Sequence, residues 1–381
     1  MRILFAGGGT GGHLSPGIAL AEEFTRSDPS SEILFAVTGR EAEDAFFEDR
    51  DFRREVLNAP RSGGTLLSRL AFPFRFVRAV GKCKHLIKDF SPDAVIGLGG
   101  YASAPVVFAA HSRAIPSALI EQNAVPGRAT RFLAPRAKEI YCQFPCTMET
   151  LDSRGSPFLT GTPVRAEILD GHGPAASSML KLDPGRRTIL VIGGSQGARG
   201  VNDIVTATLP RLARDYGLLQ VVHQTGNADY DRVRNEYAKY HIEARVFRFI
   251  KSAGAAFRSA DIVICRAGAT GIAEITALGL PSILLPYPHS LDGEQRANAA
   301  QLVERGAAYT VDELSPGAQD ELYAALSKLL DDSDKARQVG ENAARMGYPQ
   351  ATKTIADRIA ALAGKARSPA AKAIAAGNIY R

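Results

Sequence analysis

At 381 residues, 45% apolar and 23% charged, the chain has ordinary globular composition and enough length for two domains, each able to bury its own core. Four scattered cysteines, Cys83, Cys142, Cys146 and Cys265, argue against a disulfide framework and fit free thiols in a reducing cytoplasm, while no stretch reaches the roughly 18 uninterrupted apolar residues of a membrane span. The formal charge of +6 is local: Arg61, Arg69, Arg75, Arg78, Lys82, Lys84 and Lys88 outweigh Asp89 in one segment, which points to an anionic surface met there and away from nucleic acid along the molecule.

The first strand, Arg2 to Phe5, runs into Ala6-Gly7-Gly8-Gly9-Thr10-Gly11-Gly12-His13 and then into a helical pattern through Ala21. Strand, glycine loop and helix start in this order make a turn suited to a phosphate. Glycines let backbone N–H groups approach an anion, and the helix start adds partial positive charge. Gly7, Gly9 and Gly12 also fit a dinucleotide fingerprint. The second strand, Glu32 to Val37, ends in Thr38-Gly39-Arg40 and not in an acidic residue, so only a phosphorylated ribose on Arg40 keeps that reading open. The alternation continues with a helix over 41–50, a buried strand Asp93 to Leu98 ending in Gly99-Gly100, strands Ser117 to Glu121 and Glu139 to Phe144, and helices from Ala102 and Gly127. This predicts an α/β fold with a six-stranded doubly wound parallel sheet. Its ligand would sit beyond the carboxyl ends of the strands, where Gly7 to His13, Gly99 to Tyr101 and Glu121 to Asn123 all fall.

A short strand, Phe158 to Thr160, and the Gly/Pro-rich run from Gly161 to Pro174 mark a domain boundary, taken between 163 and 164. The scheme restarts at Thr188 to Ile192, which opens onto Gly193-Gly194-Ser195-Gln196-Gly197 and a helix. Two Rossmann-like domains are therefore expected, 1–163 and 164–348. Further strands are expected at Gln220 to Gln224, Arg245 to Phe249, Asp261 to Cys265, Ser282 to Pro286 and Ala308 to Val311. Surface helices are expected over 320–330 and 349–363, the latter returning to the first domain, with 364–381 as a disordered tail.

His13 places an imidazole at a strand mouth, where a general base must be neutral near pH 7; the plainer alternative is a packed helix start. Cys265 to Glu274 again leads from strand to helix through small residues. It forms a second anion cradle fit for a diphosphate, with Glu274 either accepting hydrogen bonds from a ribose diol or lying on the helix surface. Asp292 to Asn298 offers carboxylates and amides for sugar hydroxyls, against a solvated helix start. Asp229-Tyr230-Asp231 has the spacing of a metal-holding pair but opens a helix, which favours a charged first turn, and Cys142 with Cys146 lacks the neighbours of a zinc site. In Leu66 to Phe90, Leu66, Leu67, Leu70, Phe72 and Phe74 flank Pro73. Arg75, Arg78 and Lys82 are expected on one face of the following helix, with Val77, Val80 and Ile87 on the other. Apolar tips beside a basic stripe suit an anionic membrane surface; the alternative is a core helix with a solvated outer face.

The stretches GGGTGGHLSPGIALAEEF, GLGGYASAP, IEQNAVPGRATR, TGTPVR, GGSQGAR, CRAGATGIAE and DGEQRANA, in order from residue 7 to 299, closely resemble the MurG family. These are bacterial transferases that add N-acetylglucosamine to undecaprenyl-diphosphate-N-acetylmuramyl-pentapeptide. The resemblance implies a glycosyltransferase B fold, two Rossmann-like domains facing a cleft, with UDP-N-acetylglucosamine held mainly by the second domain and the lipid-linked acceptor by the first. Carried over, Thr10, Gly11 and Gly12 face the donor, Asn123 and Arg165 lie at the cleft, Ser195 belongs to the second glycine loop, and Ile250 meets the uracil through its backbone. Gly268, Ala269, Thr270, Gly271, Ile272 and Ala273 would hold the diphosphate, Glu274 the ribose, and Glu294 and Gln295 the sugar. Glu294 stands where family members often carry Gln or His, and a one-residue longer approach shifts the register at Gly293.

The implied reaction is an inverting displacement in peptidoglycan synthesis, carried out peripherally at the cytoplasmic face of the inner membrane, with wall-synthesis and division proteins as candidate partners. His13 would take the proton of the acceptor 4-hydroxyl. Neither metal nor cofactor is expected, since the helix start near Gly268 meets the departing diphosphate. Two rival readings are an NADP oxidoreductase built on Gly7 to Gly12 with Arg40, and a nucleotide-sugar-binding subunit without activity. Neither accounts for both glycine loops and the basic apolar segment together.

Overall fold

Two parallel sheets organise the protein in its computed structural model, which describes residues 1–367 apart from positions 10, 45, 49, 58, 60–65, 152–155, 171–177, 195 and 196. Its contacts divide it into one unit of Met1–Pro163 with the helix Ala351–Arg367, and a second of Val164–Pro349.

The first unit carries β1 (Arg2–Ala6), β2 (Glu32–Val37), β3 (Arg53–Val56), β4 (Ala94–Gly97), β5 (Ser117–Glu121), β6 (Glu139–Cys142) and β7 (Ser156–Leu159), in the spatial order β3-β2-β1-β4-β5-β6-β7. All pairings are parallel. Ile3, Leu4, Phe5 and Ala6 are wholly buried, as a strand covered by helices on both faces requires. Phe5 stacks on Phe35 of β2 at 4.9 Å. The strand order reverses between β1 and β4, where Ala6 pairs with Gly97, so the loops that follow these two strands leave the sheet side by side.

Sequence patterning missed two features of this sheet. It has seven strands and not six, because β3 (Arg-Arg-Glu-Val) is an exposed edge strand with no apolar alternation. The helix expected over 41–50 is helical only over Glu41–Asp44. The C-terminal helix lies in this unit: Ile355, Ala356, Ile359 and Ala363 join the core formed with Phe5, Ile18 and Ile96, and Arg358 bonds Glu139 at 2.7 Å. That helix continues through Gly364, where the sequence suggests a tail; 368–381 lie outside the described residues.

The second unit repeats the plan with β8 (Arg187–Ile192), β9 (Leu219–Gln224), β10 (Ala244–Phe247), β11 (Ile262–Cys265), β12 (Ser282–Leu284) and β13 (Tyr309–Thr310), ordered β10-β9-β8-β11-β12-β13 and parallel throughout. Ile192 pairs with Cys265 at the equivalent switch point, which brings the Gly193 and Arg266 loops out together. The helix Ser333–Arg345 follows as a separate element that the sequence patterning does not mark. Among the described residues no helix is long and apolar enough to cross a membrane.

Candidate functional site

In the first unit, His13 sits in the first turn of the helix Gly11–Ser27, partly buried. Burial holds its pKa below 6.5, opposed in part by a hydrogen bond with the backbone of Gly8. A Cβ built on Gly100 would lie 3.0 Å from the Gly8 carbonyl oxygen and 3.5 Å from His13 Nδ1, whereas one on Gly99 would lie 3.1 Å from Nε2. Nδ1 and the Gly8 carbonyl thus both border Gly100, and Nδ1 is the nitrogen assigned to the bond with Gly8. Donating its hydrogen there leaves the lone pair of the neutral ring on Nε2, facing the Gly99 loop; this tautomer is assigned from geometry.

Two amides of the glycine loop are already engaged within the unit. Gly7 N–H donates to the Ala36 carbonyl at 3.1 Å and Gly9 N–H to Glu43 Oε1 at 2.5 Å. Arg40, the one group that kept a phosphorylated ribose in view, donates Nη1 to the Gly9 carbonyl at 2.7 Å. The dinucleotide reading thus loses these two amides and the Arg40 cation. Gly11 and Gly12 open the helix, and Thr10 lies outside the described residues.

Asn123 is held at the end of β5. Its N–H and amide donate to Glu121 Oε1 at 3.1 and 3.5 Å, and its carbonyl accepts from Thr147 Oγ1 at 2.8 Å. Burial pushes the Glu121 carboxyl up, against the hydrogen bonds it receives from Thr130, Asn123 and Gly127.

In the second unit, Gly197 has φ +76° and a Cβ there would meet the Thr225 carbonyl oxygen at 2.1 Å, so only glycine lets this loop pass. Ser195 lies outside the described residues. Gln224, a buried amide at the end of β9 that sequence reasoning passed over, donates to the Gly194 carbonyl at 2.9 Å and accepts the Ile250 N–H at 2.9 Å. Ile250 thus already spends its backbone donor.

The helix Ala269–Leu278 begins at Gly268 with no side-chain cap and no acidic residue in its first turn. A Cβ on Gly268 or Gly271 would meet nothing within 4 Å, so the backbone of this turn is open to an approaching group. The sequence Ala269, Thr270, Gly271, Ile272, Ala273 therefore offers its helix-start field to an anion. Asn298, read as a sugar ligand, is instead wholly buried and steadies this loop by donating to the Ala267 carbonyl at 3.2 Å.

Glu274, on the same helix, is 7% exposed, which removes the surface-glutamate alternative. Burial raises its pKa, and Arg165 Nη2, 3.5 Å from its Oε1, opposes that rise. Arg165 also bonds Glu167 at 2.6 Å. Gln295 Oε1 accepts the Tyr287 N–H at 2.9 Å and so fastens the loop before its own helix, Glu294–Val303. Asp292 and Gly293, directly before Glu294, are both left-handed, with φ of 51° and 69°.

Asp229 accepts from Asn202 Nδ2 at 2.9 Å and pairs with Arg232 at 3.1 Å inside the unit. Among the described residues no group of three His, Cys, Asp or Glu is placed to hold a metal. The cysteines are free, and burial pushes Cys83, Cys142 and Cys265 up to about 12.

The basic segment is one helix, Leu66–Phe90, that continues through Pro73; the side chains of Leu66 and Leu67 are outside the description. Leu70, Phe74 and Val77 are 65%, 81% and 70% exposed at spacings of four and three, so they form one apolar stripe. Two expectations are corrected here. Val77 faces outward, whereas Val80 and Ile87 are buried, and Phe72 is partly buried, stacked on Phe76 at 5.9 Å beside Phe108 and Phe132. Arg75, Arg78 and Lys82 are exposed on the same helix.

The glycosyltransferase family 28 N-terminal domain matches residues 3–142, and the C-terminal domain of that family matches 188–355. The UDP-N-acetylglucosamine–N-acetylmuramyl-(pentapeptide) pyrophosphoryl-undecaprenol N-acetylglucosamine transferase of Thermodesulfovibrio yellowstonii is 38% identical over 357 residues, 93% of this chain and 97% of that protein. Its counterpart in Geobacter sulfurreducens is 39% identical over 363 residues, 95% and 98% of the two chains. Among solved structures, MurG of Acinetobacter baumannii aligns with a TM-score of 0.72 at 26% identity, covering 94% of this chain and 98% of that one. A UDP-GlcNAc 2-epimerase from Neisseria meningitidis, at 15% identity, 94% and 99% coverage and a TM-score of 0.67, shares the fold. Both halves of the family match in order and the relatives are spanned almost end to end, so the chain belongs to glycosyltransferase family 28 and, within it, to the MurG family of hexosyltransferases with the glycosyltransferase B fold.

Proposed function

We propose that the protein moves N-acetylglucosamine from UDP-N-acetylglucosamine to the 4-hydroxyl of undecaprenyl-diphosphate-N-acetylmuramyl-pentapeptide, with inversion. The observation that carries this reading is the open helix start at Gly268, followed on the same helix by the buried Glu274. The first suits a diphosphate and the second a ribose diol, which are the two parts common to every nucleoside diphosphate sugar. Ile250 would meet the uracil through its carbonyl, its N–H being spent on Gln224. Glu294 and Gln295 would face the sugar, and Arg165 would hold Glu274 in place for the ribose.

His13 Nε2 takes the hydroxyl proton as the acceptor oxygen bonds to the anomeric carbon. The bond from that carbon to the diphosphate oxygen breaks, and the leaving charge develops against the helix start. Thr10, Gly11, Gly12 and Asn123 would line the same reaction.

The lipid anchor of the acceptor requires the protein to work at a bilayer. Leu70, Phe74 and Val77 would enter the headgroup region, and Arg75, Arg78 and Lys82 would meet anionic lipid, as a peripheral protein on the cytoplasmic face of the membrane. Transfer of labelled sugar from UDP-N-acetylglucosamine to a short-chain lipid acceptor, with and without chelator, tests the reading; release of UDP that does not depend on acceptor would count against it.

A further inference from the structure

Glu43 is almost wholly buried under the first glycine loop, 2% exposed, in a helix of only four residues. Its two carboxylate oxygens receive four donors: Gly9 N–H at 2.5 Å and Thr38 Oγ1 at 2.5 Å on Oε1, Gly39 N–H at 2.8 Å and Arg40 N–H at 3.2 Å on Oε2. Gly8, with φ +154°, would place a Cβ 2.5 Å from Oε1, so the loop lies directly on this carboxylate. The function proposed above gives Glu43 no part, and among the described residues it forms no salt bridge.

The Gly9 N–H and the Gly8 C=O belong to one peptide unit. No peptide bond among the described residues is cis, so the two groups point in opposite directions from the same plane. One end of that plane is fixed on Glu43. The other end, the Gly8 carbonyl, is bonded to the His13 ring, whose Nδ1 borders Gly100 as that carbonyl does. Arg40, two residues after Thr38, closes the far side of the loop through the Gly9 carbonyl. The arrangement is a carboxylate and a histidine joined through a single peptide: carboxylate, N–H, C=O, ring N–H.

We propose that Glu43 is a positioning residue for the transfer reaction, holding the Gly8–Gly9 peptide so that its carbonyl keeps the hydrogen of His13 on Nδ1 and the proton-accepting lone pair on Nε2. The proposal rests on the reading of His13 as the base. It differs from a purely structural role in what it demands of the ring: one tautomer, set by a carboxylate that never touches the histidine. A buried carboxylate can accept all four donors, whereas an amide at the same place presents N–H groups to one pair of them.

Two measurements on the full chain test this. Ring nitrogen NMR of the wild-type protein should show neutral His13 with its hydrogen on Nδ1; a ring protonated on Nε2 instead would overturn the proposal without any variant. In Glu43→Gln the tautomer preference should be lost, and kcat should fall by about 10- to 100-fold, the usual cost of removing a group that orients a functional histidine, with the donor KM unchanged. Glu43→Asp, which restores a carboxylate, should recover part of kcat. A folded Glu43→Gln protein that keeps both the Nδ1–H ring and full kcat would refute the role. Failure of the base reading would show separately, as normal turnover by His13→Ala, and would leave the tautomer result as it stands.

Discussion

Arg165 reaches Glu274 at 3.5 Å and Glu167 at 2.6 Å, so a single guanidinium braces the buried carboxylate next to the open helix start. If Glu274 accepts from the ribose as proposed, replacing it by Ala removes that acceptor, and losses of this kind cost about 1.5 to 3 kcal/mol, roughly 10- to 150-fold in Kd. Calorimetric titration with UDP-N-acetylglucosamine should show that weakening. An unchanged Kd would remove Glu274 from the donor site.

His13→Ala should lower kcat by about 100-fold or more with donor affinity little altered, the usual scale for losing a general base. Burial places the His13 pKa below 6.5, so the base stays neutral and competent at pH 6.5 and loses activity only as pH falls through the depressed value. The acid limb of kcat for the wild type should therefore lie below pH 6.5. A limb at or above 6.5, or near-normal turnover by the variant, would rule out this assignment.

The apolar stripe Leu70, Phe74, Val77 and the cations Arg75, Arg78 and Lys82 share one helix. Each basic residue near an anionic leaflet is worth about 1 kcal/mol. Reversing all three to Glu should release the protein from anionic vesicles and slow reaction with membrane-embedded acceptor, while a water-soluble acceptor analogue is still used. High salt should mimic the substitution. Undiminished co-sedimentation of the triple variant would move the docking surface elsewhere.

His223 is wholly buried, with Nε2 bonded to Asn202 Oδ1 at 3.0 Å and Nδ1 to the Tyr237 hydroxyl at 2.8 Å. Burial first, then Arg232, lowers its pKa to about 3. Its folded pKa lies below the unfolded 6.5, so its contribution to stability is complete above 6.5 and is lost as pH falls from there toward about 3. Urea unfolding of His223→Gln should show a flatter fall in stability between pH 7 and pH 4 than the wild type; parallel curves would contradict the buried neutral ring.

Much of this was legible in the sequence wherever a short apolar run met glycines, because that pattern fixes both a buried parallel strand and the loop at its carboxyl end. β1 with Gly7 and β11 with Gly268 are the plainest cases. β3 was not legible because an exposed edge strand of Arg-Arg-Glu-Val has nothing to alternate. Pro73 read as a break, yet the helix passes through it, with Phe72 and Phe76 stacked across it. In the site, the motifs were visible and their supports were not. Glu43 lies 34 residues from Gly9, Gln224 26 from Ile250, and Asn298 31 from Ala267, so no local pattern announces these bonds. For the same reason the first glycine loop gives no sign in the sequence that its Gly9 amide faces a carboxylate.

The most direct test of the central claim is the stereochemistry of the product formed from UDP-N-acetylglucosamine and a short-chain undecaprenyl-type acceptor. Proton NMR should show one new sugar linked to the 4-hydroxyl through a β-anomeric bond, with one UDP released per transfer and only in the presence of acceptor. An α-linked product, or hydrolysis of the donor with no disaccharide formed, would contradict it.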